Sequence, residues 1–158
     1  MTVFERRSPD DEPDAASLGG PTVVLADTAP SPGAVDRGTF DEISRYSRRP
    51  TVPDPRTAAG IMLVLLDNED PAAEEAFEAW YEGVHVPDVT AAAGFWGAVR
   101  YRNAKEDPGP ASAGYLAIYV TDNPDVLAEY AGVRAAAPAW VRWHATRRFH
   151  VAVYERLG

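Results

Sequence analysis

Two stretches of this chain, IMLVLL (Ile61 to Leu66) and YLAIYV (Tyr115 to Val120), are apolar at every position. A strand with one face in water alternates apolar and polar side chains, so strands of this kind need cover on both faces. That requirement limits the chain to a sheet with something packed on each side. At 158 residues it is long enough for one ordinary domain with some extra, and too short for two.

From Gly60 onward six elements can be read. GIMLVLLD (60–67) is a strand. DPAAEEAFEAWYEGVH begins a helix, with Asp70 as N-cap, Pro71 at the first helical position and acids in the early turns, where the helix dipole favours them. GFWGAVRYR (94–102) and AGYLAIYV (113–120) read as a hairpin whose long loop is NAKEDPGPAS. NPDVLAEYAGVRAA (123–136) is a second helix, capped by Asn123, and RRFHVAVYER (147–156) is a last strand. The order βαββαβ is the split βαβ unit of the ferredoxin-like fold, an α+β arrangement of four antiparallel strands with both helices on one face. The other face then needs its own cover. The economical expectation is a second copy packed sheet to sheet in a homodimer, although the N-terminal segment is another source.

Residues 1–59 differ in texture: they are rich in proline and acids and poor in long apolar side chains, which predicts a largely flexible extension before a domain spanning 60–158. Two pieces stand out within it. TVVLAD (22–27) has strand-like residues, and TFDEISRYSRR (39–49) opens with a capping-box pattern, Thr39 and Glu42, followed by Phe40, Ile43 and Tyr46 at helical spacing. The spacing predicts a short helix over about 40–48.

Composition removes several chemistries. The chain has no cysteine, so disulfides, thiolate metal sites and cysteine nucleophiles are absent. A net charge of -9 opposes binding to a phosphate backbone, so no nucleic-acid partner is expected. No run has the length or apolarity of a signal peptide or a membrane span, which gives the expectation of a cytoplasmic protein with no membrane partner. Acids at Asp67, Glu69, Asp70, Glu74 and Glu75 cluster at a helix start, where capping and the dipole explain them better than a metal does. No glycine-rich phosphate loop, nucleophile elbow or zinc motif occurs, and neither a cofactor nor a metal is expected.

What remains is histidine and aromatic chemistry. His85 lies one helical step after Tyr81, at the edge of a stripe formed by Phe77, Trp80, Tyr81 and Val84. Pro87 cannot donate to the carbonyl of Gly83, so the helix is expected to break there and leave His85 facing a pocket. An imidazole with an ordinary pKa of about 6.5 can accept a proton at neutral pH. The plainer alternative is a histidine that satisfies a loose carbonyl at a helix end. In the last strand His150, Ala152 and Tyr154 share one face, and Phe149, Val151 and Val153 the other. Only if the first set faces the helices do His150 and Tyr154 line the pocket. His144 and His150, six apart, match no metal motif.

The stretch WYEGVHVPDVTAAAGFWGAVRY, Trp80 to Tyr101, resembles the dimeric α/β-barrel superfamily, and within it the branch related to the ethyl tert-butyl ether degradation (EthD-like) proteins. The resemblance is carried by Trp80, Tyr81, His85, Pro87, Gly94, Phe95, Arg100 and Tyr101, and covers roughly residues 60–157. It departs from the pattern at Ala93, where Pro often stands, and at Val84, where an acidic or polar residue often precedes the histidine. The resemblance implies paired ferredoxin-like sheets forming a barrel, with a pocket between each sheet and its helices.

The function expected from these features is a small cofactor-independent enzyme acting on an aromatic or polyketide-like molecule by histidine-mediated proton transfer, as a cyclase, dehydratase, isomerase or decarboxylase. Bacterial secondary metabolism or catabolism is its expected setting. His85 and Tyr81 are the catalytic candidates; Trp80, Trp96, Tyr101, Tyr119, Trp143, His150 and Tyr154 are the substrate-binding ones. A cofactor-free or haem-dependent monooxygenase and a non-catalytic binding protein are the alternatives.

Overall fold

The strands that the apolar runs demand do form, and they join a wider sheet than four. In the computed structural model, residues 2–7, 22–25, 39–106 and 113–158 are described. They give β1 (Thr2–Arg7), β2 (Thr22–Leu25), β3 (Phe40–Ser47), β4 (Gly60–Asn68), α1 (Glu74–Trp80), α2 (Val86–Ala92), β5 (Phe95–Asn103), β6 (Tyr115–Thr121), α3 (Val126–Ala136) and β7 (Thr146–Arg156). All seven strands lie in one sheet in the order β2-β1-β7-β4-β6-β5-β3, every pairing antiparallel. The four-stranded ferredoxin-like sheet of a dimeric barrel is therefore corrected: three strands from the N-terminal 59 residues extend the sheet at both edges.

The predicted helix over 40–48 is likewise corrected, because those residues are strand β3, paired with β5 from Phe40↔Asn103 to Ser47↔Gly97. The misreading has a physical cause. The register slips between Glu42 and Ser44, so one residue bulges and the side-chain alternation changes sides. Phe40 packs on the face away from the helices and Tyr46 on the helix face, with Ile43 left 40% exposed between them. A bulged strand thus imitates a spacing of three. β2 forms within the expected TVVLAD stretch, and residues 1, 8–21 and 26–38 of the extension lie outside those described.

Both faces of the sheet are buried by this one chain. On one face Met62, Val64 and Leu66 of β4, Tyr115, Ala117 and Tyr119 of β6 and Val153 of β7 pack under Phe77, Tyr81, Val86, Val89, Val126, Tyr130 and Val133 of the helices. On the other, Ile61, Leu63 and Leu65 join Ile118, Val120, Ala152 and Tyr154 with Phe4 and Ala58. Each large apolar side chain so buried contributes roughly 1.5–3 kcal/mol. With that second face already covered, no second copy is required to hide it.

The helix caps are shifted from their expected places. Asp70 stands at the N-cap position with Pro71 behind it, but its side chain makes no capping bond and instead meets His144 Nε2 at 3.0 Å. α3 is capped by Asp125, whose carboxylate accepts from the Ala128 N–H, while Asn123 accepts from the Asp125 N–H just before it. Gly94 turns the chain from α2 into β5 where a β-carbon would lie 2.6 Å from the Glu129 carboxylate, and that carboxylate accepts the Gly94 N–H.

Phe4 is fully buried and ties β1 to the core. Phe4→Ala is expected to destabilise the protein by about 3 kcal/mol or more, the range for a core phenylalanine. Urea denaturation measures this, and a loss below 1 kcal/mol would show that β1 is not part of the cooperative unit.

Candidate functional site

The helix does not break at His85. Residues Tyr81–His85 form a π-turn, in which the Val86 N–H donates to the carbonyl of Tyr81, and α2 continues to Ala92. Pro87 explains the widening: it has no N–H for the carbonyl four residues back, and its ring would press on that carbonyl in a regular helix. The expected break is thus a bulge, and its consequence for His85 is specific. Residues five apart come into register across a π-turn, so the His85 ring stacks on Trp80, 4.8 Å between centroids and 23° between planes. It also stands edge-on to Tyr81 at 4.9 Å and to Trp140 at 5.8 Å.

Around this half-buried imidazole the structure gathers Trp80, Tyr81, Tyr119 and Trp143 from the expected set. Tyr119 Oη donates to Tyr81 Oη across a long 3.5 Å, and both rings are buried. The segment after α3 closes the cluster from above the helix. Trp80 Nε1 donates to the carbonyl of Val141 at 3.1 Å and Trp143 Nε1 to Asn68 Oδ1 at 2.9 Å. Val84, next to His85 in the chain, and Val141, whose carbonyl holds Trp80, are 36% and 64% exposed.

Trp96, Tyr101, His150 and Tyr154 are not in this site. They lie with the second core cluster or beside it, on the far face of the sheet. His150 is buried there, its Nε2 2.9 Å from Tyr154 Oη. Strand parity grouped that pair correctly, and the pair faces away from the helices. Trp96 donates to Asp122 at 3.2 Å and carries the Arg49 guanidinium 4.8 Å from its ring. Burial, with Glu42 adding to it, pushes the Tyr101 phenol up, so it stays protonated at neutral pH.

Three residues outside the expected site set complete this region. Arg100, only 3% exposed, reaches from β5 under the π-turn, with its guanidinium 4.1 Å from the centre of the Tyr81 ring. Glu78 takes it in a fork, Nη1 at 2.9 Å and Nη2 at 3.0 Å, and Glu82 accepts from Nη1 at 3.1 Å. Burial opposes the charge, but the bonds to and charge of Glu78, with Tyr81 and Glu82, raise its pKa above the ordinary arginine value. The signal was present in sequence: an arginine in an apolar strand beside a helix carrying two glutamates four apart. The cavity found here, about 220 Å³, is lined by Ser44, Arg45, Tyr46, Glu82, Val86, Ala98 and Arg100. None of the residues expected to bind substrate lines it. Among the described residues no group of His, Asp and Glu is arranged to hold a metal, and no helix is long and apolar enough to cross a membrane.

Removing one carboxylate from a buried guanidinium costs more than removing the guanidinium and its charge together. Glu78→Gln is therefore expected to lower stability by about 2 kcal/mol, and Arg100→Met by less. Urea midpoints give the order, and the reverse order would mean that Arg100 acts mainly through packing.

No family model matches the chain, and neither a curated protein nor a solved structure matches it.

Proposed function

We propose that the protein is an enzyme that moves a proton on a planar, aromatic or polyketide-like small molecule, with His85 as the base. The observation that carries this reading is the half-buried imidazole stacked on Trp80 at the end of the π-turn. Such a bulge is retained in helices frequently at functional sites, because it aims a side chain that a regular helix would turn elsewhere. A flat ligand finds an apolar surface in the partly buried rings of Trp80, Trp140 and Trp143.

In the proposed step the His85 ring takes a proton from a carbon next to a carbonyl. The C–H electron pair moves onto the carbonyl oxygen as an enolate, while the buried Tyr81–Tyr119 hydroxyl pair beneath the imidazole holds the Tyr81 ring against it. Return of the proton at another position gives isomerisation, and attack by the enolate on a second carbonyl gives cyclisation. The reading rests on the geometry of the cluster and not on the barrel that the EthD-like resemblance implied.

The test is deuterium exchange from D2O into the α-position of aryl 1,3-diketones, followed by NMR. The wild type is expected to accelerate exchange over the uncatalysed rate. His85→Ala should lose about two to four decades of that acceleration, the span of a positioned base, and keep its thermal transition. Full exchange in the variant, or its unfolding, would make His85 a packing residue.

A further inference from the structure

Strand β3 extends the sheet past the helical layer, and the side chains it turns toward that layer have a groove in front of them. Ser44 and Tyr46 stand along one side of the 220 Å³ cavity, Ala98 and Arg100 of β5 form its floor, and Glu82 and Val86 of the π-turn and α2 form the far wall. Beyond it Arg48 ties the end of β3 to α2, donating to Thr90 Oγ1 at 3.1 Å and to the carbonyl of Pro87 at 3.1 Å. The volume is below the roughly 300 Å³ at which drug-sized ligands begin to fit, which restricts any occupant to a small molecule.

The charges in the wall choose the sign of that molecule. Arg100 is held by two carboxylates, so the three groups together carry one negative charge. Its fork is taken by Glu78, and Arg45 is taken by Glu42 and by the carbonyl of Pro53. An anion entering the groove would have to displace Glu78 while lying against Glu82. A cation meets the Glu82 carboxylate directly, since that side chain is 47% exposed and accepts a single bond from Arg100. The Ser44 and Tyr46 hydroxyls are acceptors for an N–H, the Tyr46 ring attracts a cation, and Val86 and Ala98 suit a short hydrocarbon body.

We infer that the groove between β3 and the π-turn is a binding site for a small organic ammonium ion, with Glu82 as its counter-charge. The site is separate from the His85 cluster, none of whose aromatic residues lines it.

Benzylammonium, benzyl alcohol and benzoate share a ring and differ in charge, and serve as probes in an NMR titration of the full chain. Benzylammonium is expected to bind at least about tenfold more tightly than benzyl alcohol, with benzoate weaker still, and to shift the amides of residues 44–46 and 98–100. Glu82→Gln, a change at a part-exposed position, should remove about that tenfold preference, and Ser44→Leu should block binding by filling the groove. Equal affinity for the amine and the alcohol overturns the inference, as does tighter binding of benzoate. Unchanged amine affinity in both variants, or shifts confined to the residues around His85, does so too.

Discussion

Pro87 has no N–H to give to the carbonyl of Gly83, and the helix above the sheet accommodates that loss without ending. The π-turn at Tyr81–His85 takes up the misfit, and the arrangement of this side of the protein follows from it. His85 comes to lie on Trp80, and Tyr81 points down to meet Arg100 and Tyr119. Glu78 and Glu82, on the same helical run, converge on one guanidinium. A regular helix with Ala at position 87 would rotate His85 away from the tryptophan and spread the two glutamates differently over Arg100.

Arg100 is the second constraint, because a charge only 3% exposed has to be answered locally. Two carboxylates and the face of Tyr81 answer it, and in doing so they fasten the helix to β5 at a fixed height. The His85 cluster and the groove beside β3 therefore share one anchor, with Tyr81 between the imidazole and the guanidinium. A substitution at Arg100 would disturb both regions together.

The sheet supplies the platform. β4 is paired on both sides and apolar on both faces, and the two layers of side chains above and below it are separate clusters. Phe4 and Ala58, from the first 59 residues, belong to the lower cluster, so that part of the chain completes the core that the later strands begin.

Sequence by itself determined the local elements whose signals are short-range. The apolar runs at 61–66 and 115–120, the proline and acids at the start of the first helix, and the parity of His150 with Tyr154 were legible because each depends on neighbours along the chain. So was the approach of Tyr81 to His85, one helical step apart, whereas the stacking of His85 on Trp80 came with the π-turn. Three matters were decided only by tertiary structure. Residues 40–47 are strand because β5 offered an edge to pair with, and the bulge at Ile43 hid the alternation that would have revealed it. His150, Tyr154, Trp96 and Tyr101 went to the far face because parity groups side chains without saying which group meets the helices. The sequence shows an arginine in an apolar strand and two glutamates four apart on a helix, but that Glu78 and Glu82 meet Arg100 was decided by the strand–helix contact, since the energy of a buried charge is settled by what surrounds it in space.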